Sequence, residues 1–115
     1  MKTEKEIIER FSDILDLRFG QLECGPGWYD IIWEALEKIE KEATEDFKIP
    51  IIKEKFGSLR MQFSMGTDRQ FEIVDKAERK SVLTCENCGY QSDKDLRTNT
   101  GWVRCWCDKC LDDKK

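Results

Sequence analysis

Residues 47–65 read Phe47-Lys-Ile-Pro-Ile-Ile-Lys-Glu-Lys-Phe56, then Gly57-Ser58, then Leu59-Arg-Met-Gln-Phe-Ser-Met65. Two runs of strand formers around a Gly-Ser pair predict a β-hairpin closed by a two-residue turn. That turn sets Phe56 opposite Leu59, Lys55 opposite Arg60 and Lys53 opposite Gln62. Side chains alternate along a strand, so Ile52, Phe56, Leu59, Met61 and Phe63 share one face, and Lys53, Lys55, Arg60 and Gln62 share the other. Glu54 falls on the apolar side, where it needs a cationic partner or a bulge. A lone hairpin is marginal in water, so helix packing, a third strand or a homodimer partner has to cover it.

The hairpin is preceded by two helical patterns. Thr3 and Glu6 form a capping box, and Ile7, Ile8, Phe11, Ile14 and Leu15 recur at helical spacing towards a stop at Phe19-Gly20. After the turn Cys24-Gly25-Pro26-Gly27, the residues Trp28, Ile31, Ile32, Ala35, Leu36 and Ile39 make a second apolar stripe. A third helix is expected from Asp68 to Val82, capped by Thr67 and Gln70, with Phe71, Val74, Ala77 and Ser81 along one side. Beyond it the composition shifts to Cys, Trp, Asn and Gly.

Cys85-x2-Cys88 and Cys107-x2-Cys110 are two knuckles at the spacing of a four-cysteine zinc ribbon. Two intervening residues let a tight turn aim both sulfurs at one ion, and a second knuckle completes the tetrahedron. The reading is one structural Zn2+ per chain, with an iron centre or redox disulfides as the alternatives. Cys105 is a poorer alternative ligand, and Cys24 and Cys105 read as spectator thiols. Trp102 and Trp106 are either hydrophobic support for the knuckles or a stacking platform. A turn is expected across 98–101. The fold class is therefore α+β: about three helices on a short antiparallel hairpin, then a four-cysteine zinc ribbon. The division falls between an α+β domain, 1–83, and a ribbon module, 84–115.

The 115 residues suit one domain of average size with a small appendage. There is no histidine, which excludes Ser-His-Asp and Cys-His catalysis and His-containing zinc sites. The formal charge of -4 argues against coating nucleic acid by bulk electrostatics. It is unevenly spread: residues 1–45 carry 6 basic and 12 acidic side chains, whereas residues 46–66 carry 4 and 2. Neither a signal peptide nor a membrane span is expected, so the cysteines are expected reduced in a cytoplasm. With no Walker loop and a metal closed by four thiolates, the chain reads as a binding protein and not an enzyme.

The combination of Cys24-Gly-Pro-Gly-Trp28, Lys53-Glu-Lys-Phe-Gly-Ser-Leu-Arg60 and a Cys-x2-Cys-Gly ribbon resembles a group of small zinc-ribbon proteins encoded by phages and prophages. The resemblance spans about residues 20–110 and implies a bacterial host cytoplasm. The last ligand in that group is often histidine; here it is Cys110, which is equivalent towards zinc.

Two functions follow as expectations. In the first, Lys53, Lys55 and Arg60 supply charge, Gly25 and Gly27 supply backbone N–H groups, and Trp28 stacks on a base. Together they would capture a small anionic ligand such as a nucleotide, sequestering an immune signal as an anti-defence protein. In the second, the ribbon is an adaptor for a protein or a short nucleic-acid segment, with Lys94, Arg97, Arg104 and Lys109 as contacts.

Overall fold

The computed structural model describes residues 1–98 and 101–113. It is α+β, with helices α1 (Glu4–Arg10), α2 (Tyr29–Ile39), α3 (Asp68–Ser81) and α4 (Asp108–Asp113), and strands β1 (Ile51–Lys55) and β2 (Ser58–Gln62). Among the described residues no helix is long and apolar enough to cross a membrane. The 98–101 turn falls partly outside the described residues.

The hairpin turns one residue earlier than expected. Ile52 pairs with Met61, Lys53 with Arg60, Glu54 with Leu59 and Lys55 with Ser58. The turn residues are thus Phe56 and Gly57, both left-handed at φ 52° and 80°. This is the geometry of a type I′ turn, whose twist matches the strands but favours Asn-Gly over Phe-Gly. An L-residue held there costs about 1–2 kcal/mol. The Glu54 carboxylate accepts the Gly57 N–H at 2.7 Å. That bond gives the acid a partner that is neither a cation nor a bulge. Because the pairing slips by two residues, the faces keep their membership, except that Phe56 leaves the core and is 67% exposed.

Ile52, Leu59 and Met61 bury their face in one core with Trp28, Ile32, Leu36 and Ile39 of the α2 segment and Ile73 and Ala77 of α3. The outer edge of β1 is met by an extended segment in which Glu23 N–H donates to the Ile52 carbonyl, while the Glu23 carbonyl accepts from Glu54 N–H. On the other edge Leu59 N–H donates to Ser81 Oγ at 2.9 Å. Helix packing and this short extended segment therefore cover the hairpin within one chain.

α1 is shorter than its apolar pattern predicts. It ends at Arg10, because Ile14 and Leu15 turn to bridge Ile49 in parallel. The Thr3–Glu6 and Thr67–Gln70 capping boxes both form. On α3 the buried line is Gln70, Ile73, Ala77 and Ser81, while Phe71 is exposed and Val74 only half-buried. Buried Gln70 is satisfied by capping Thr67 and by donating from Nε2 to the Ile39 carbonyl at 3.1 Å.

Candidate metal centre and basic hairpin face

The Sγ atoms of Cys85, Cys88, Cys107 and Cys110 all lie within 4.8 Å of one another. Two short antiparallel bridges, Thr84 to Gln91 and Arg97 to Cys105, fold the module so that the knuckles meet. The first knuckle is a turn closed by Gly89 N–H donating to the Cys85 carbonyl at 2.9 Å, with Gly89 at φ 85°. The second opens helix α4 and does not sit on a hairpin, so Cys110 is placed by a helical turn. Cys85, Cys107 and Cys110 are buried and Cys88 is exposed.

The donor set fits a metal ion. Burial works to raise the Cys85 thiol, but backbone hydrogen bonds from Cys107, Cys88 and Asn87 bring it down to about 7. Cys88 receives a backbone hydrogen bond from Tyr90, yet desolvation and its three thiol neighbours push it up to about 12. Four thiolates this close repel one another and can all ionise only around a cation. Asn87 Nδ2 donates to Cys110 Sγ at 3.3 Å, the kind of outer bond that orients a thiolate ligand.

Cys105 is not part of this cluster. Its buried S–H points towards the carbonyls of Ser81 and Thr84 at 3.3 Å, and desolvation pushes the thiol up to about 12. Burial also drives the Cys24 thiol upward, reinforced by Glu86, Glu4 and Glu54. Neither is a poised nucleophile.

Gly25, Gly27 and Trp28 dock the metal knuckle. Gly25 N–H donates to the Glu86 carboxylate at 2.8 Å and Gly27 N–H to the Glu86 carbonyl at 2.6 Å. A Cβ on Gly25 would lie 2.6 Å from that carbonyl oxygen, and one on Gly27 would collide with the Cys85 carbonyl oxygen. Trp28 is fully buried and its indole N–H donates to the Thr84 carbonyl at 2.8 Å. The donors assigned to an anion by sequence are thus engaged by the knuckle. The hollow beside the loop is lined by Glu23, Glu54 and Glu86 together with Trp102, Trp106 and Arg104, an acidic setting. Sequence reasoning missed Glu86; its place between Cys85 and Asn87 was the available signal.

Lys53, Lys55 and Arg60 do share the outer hairpin face, with Lys53 directly opposite Arg60. Arg60 Nε lies 3.5 Å from Glu78 of α3 and 3.1 Å from Ser58 Oγ. Lys53 neighbours Glu23, whose carboxylate is held low chiefly by its hydrogen bonds from Arg18. The Lys55 ammonium sits 5.8 Å from the Phe56 ring centroid. On the ribbon, Trp106 packs against the thiol cluster under Arg104, whereas Trp102 is 81% exposed.

No protein-family model, curated protein or solved structure matches the chain.

Proposed function

We propose that the protein is a non-enzymatic, zinc-stapled binding protein that captures a small anionic ligand on the outer face of its hairpin. The observation that carries this reading is the Lys53–Arg60 cross-strand pair. Like charges directly opposite one another destabilise a sheet. Glu78 and Glu23 offset part of that cost at the rim, and a phosphate bridging the pair would remove the rest, Arg60 offering a two-pronged fork. Lys55 extends the same field. The bacterial, phage-linked setting implied by the resemblance makes a nucleotide signal a suitable cargo.

Zinc is the metal that four soft thiolates in a closed set favour. It would be held by Cys85, Cys88, Cys107 and Cys110, with no open position for chemistry. Metal analysis of the purified chain should give one zinc, and cobalt substitution should give thiolate charge-transfer bands. Iron with its own visible absorption would sink the assignment. For the ligand, calorimetry against linear and cyclic nucleotides should show uptake that Lys53→Ala or Arg60→Ala weakens by on the order of tenfold to a hundredfold. No uptake across the panel removes the reading.

A ribbon adaptor is the second reading, favoured by a groove of about 820 Å³ lined by Tyr90, Leu96, Trp106 and Leu111. Asp95, Asp108 and two metal-bound thiolates there offset Lys94, Arg97 and Lys109, which suits a peptide better than a phosphate chain. Tyr90→Ala with Leu111→Ala should then abolish a partner interaction that Lys53→Ala leaves intact.

A further inference from the structure

We propose that Phe56 is a stacking platform for a nucleobase whose phosphate is held by Lys53, Lys55 and Arg60, so that the ligand is a base-bearing phosphate and not a bare anion. The inference rests on the anion-binding reading of the hairpin face and names its ligand class.

Phe56 occupies the first turn position at φ 52°, where a short polar residue or glycine is the relaxed choice, and it exposes 67% of a large apolar residue. Strain and exposure fall on the same residue. The turn is packed on both sides of Gly57. Glu54 holds the Gly57 N–H, and the Arg97 and Val103 side chains of the ribbon lie so close that a Cβ on Gly57 would be 2.9 Å and 3.1 Å from them. Strain held so firmly at a surface points to use by a ligand.

The surroundings decide which ligand. The ring neighbours Lys55 and stands at the end of the face that carries Lys53 and Arg60. Asp95 and Glu23 are paired with cations outside this face, Arg97 and Arg18, and the Glu54 carboxylate is turned to the Gly57 N–H; Glu78, 3.5 Å from Arg60, is the acid a phosphate would have to displace. A π-face beside Lys55, at the turn end of a strand face that carries Lys53 and Arg60, matches a base joined to phosphate, whether free or within a single strand.

Phe19 supplies the internal control. It too is left-handed, followed by a left-handed glycine, 77% exposed and beside a cation, Arg18. That cation is locked to Glu23 by two hydrogen bonds at 2.8 and 2.9 Å, so its charge is already answered.

The test is calorimetry on the full chain with ADP, a single-stranded thymidine octanucleotide and inorganic tripolyphosphate. Phe56→Asn should weaken ADP or the octanucleotide by about tenfold to a hundredfold, leave tripolyphosphate unchanged and melt no lower than the parent. Phe56→Trp should retain binding, and Phe19→Asn should change nothing. Response of ADP supports a free nucleotide, and response of the octanucleotide alone supports a strand. If Phe56→Asn binds base-bearing probes as tightly as the parent while Lys53→Ala does not, stacking is wrong and anion capture stands. If the parent binds none of the three, both ideas fall.

Discussion

The indole N–H of Trp28 donates to the carbonyl of Thr84 at 2.8 Å, one residue before Cys85, the first of the four clustered thiols. A fully buried tryptophan at the head of α2 is therefore tied to the metal knuckle by a bond that spans 56 positions of sequence. The ribbon is built into the core, since Cys105 belongs to the main apolar cluster and Leu96 packs against both clusters.

Metal removal should be felt well beyond the ribbon. Structural zinc contributes about 10–16 kcal/mol of apparent binding energy in small zinc domains. Stripping it with a chelator should expose Trp28, seen as faster hydrogen exchange of its indole N–H and of the Gly27 amide. An unchanged Trp28 signal would show that the knuckle holds without metal.

Acid should release the metal, because every ligand must lose a proton to bind. Cys85 is brought down to about 7 by backbone hydrogen bonds and Cys88 is pushed up to about 12, so Cys88 depends on a cation more than Cys85 does. Metal affinity measured by competition should fall steadily as pH drops below 7.

Gly27→Ala should destabilise the fold by roughly 3 kcal/mol or more, since its Cβ collides with the Cys85 carbonyl oxygen and not with a movable side chain. Gly20→Ala meets nothing within 4 Å and bears only the cost of φ 65°, about 1 kcal/mol. Chemical denaturation of the two variants compares these costs directly.

Trp28→Phe keeps an aromatic ring but leaves the Thr84 carbonyl without its indole donor. A loss of about 1–3 kcal/mol is expected from the unpaired buried acceptor, with more from the space vacated. Equilibrium unfolding of the metal-loaded chain should show it.

Cys24 should resist alkylation in the native state and contribute to alkaline unfolding. Its folded pKa is raised above the unfolded thiol value near 9, first by burial and then by Glu86, Glu4 and Glu54. The neutral thiol's contribution is fully present below pH 9 and is lost as pH rises above it. Cys24→Ala should flatten that limb of the stability profile.

Local chemistry made much of this molecule legible. The capping boxes at Thr3 and Thr67, the α2 stripe and the paired Cys-x2-Cys knuckles each depend on residues a few positions apart, and each forms as its pattern implies. The hairpin faces were legible too, because alternation survives a two-residue slip. The turn itself was not: Gly-Ser is the more ordinary turn pair, and the contacts that accompany Phe56-Gly57 instead, the ribbon resting on Gly57 and the Gly57 N–H bond to Glu54, lie outside the pair. Likewise nothing within Cys24–Trp28 announces that its donors face Glu86, since that partner arrives 61 positions after Gly25. The α1 pattern ran past Arg10 because Ile14 and Leu15 are apolar for β-type pairing with Ile49, which helical spacing imitates.

Glu86 holds three segments at once, receiving Gly25 and Gly27 N–H groups and donating its own N–H to the Cys105 carbonyl at 2.7 Å. During synthesis the contacts of Gly25, Gly27 and Trp28 with Thr84 and Glu86 can form only after residues 84–86 have been made, so the helical half, though made first, completes its packing late.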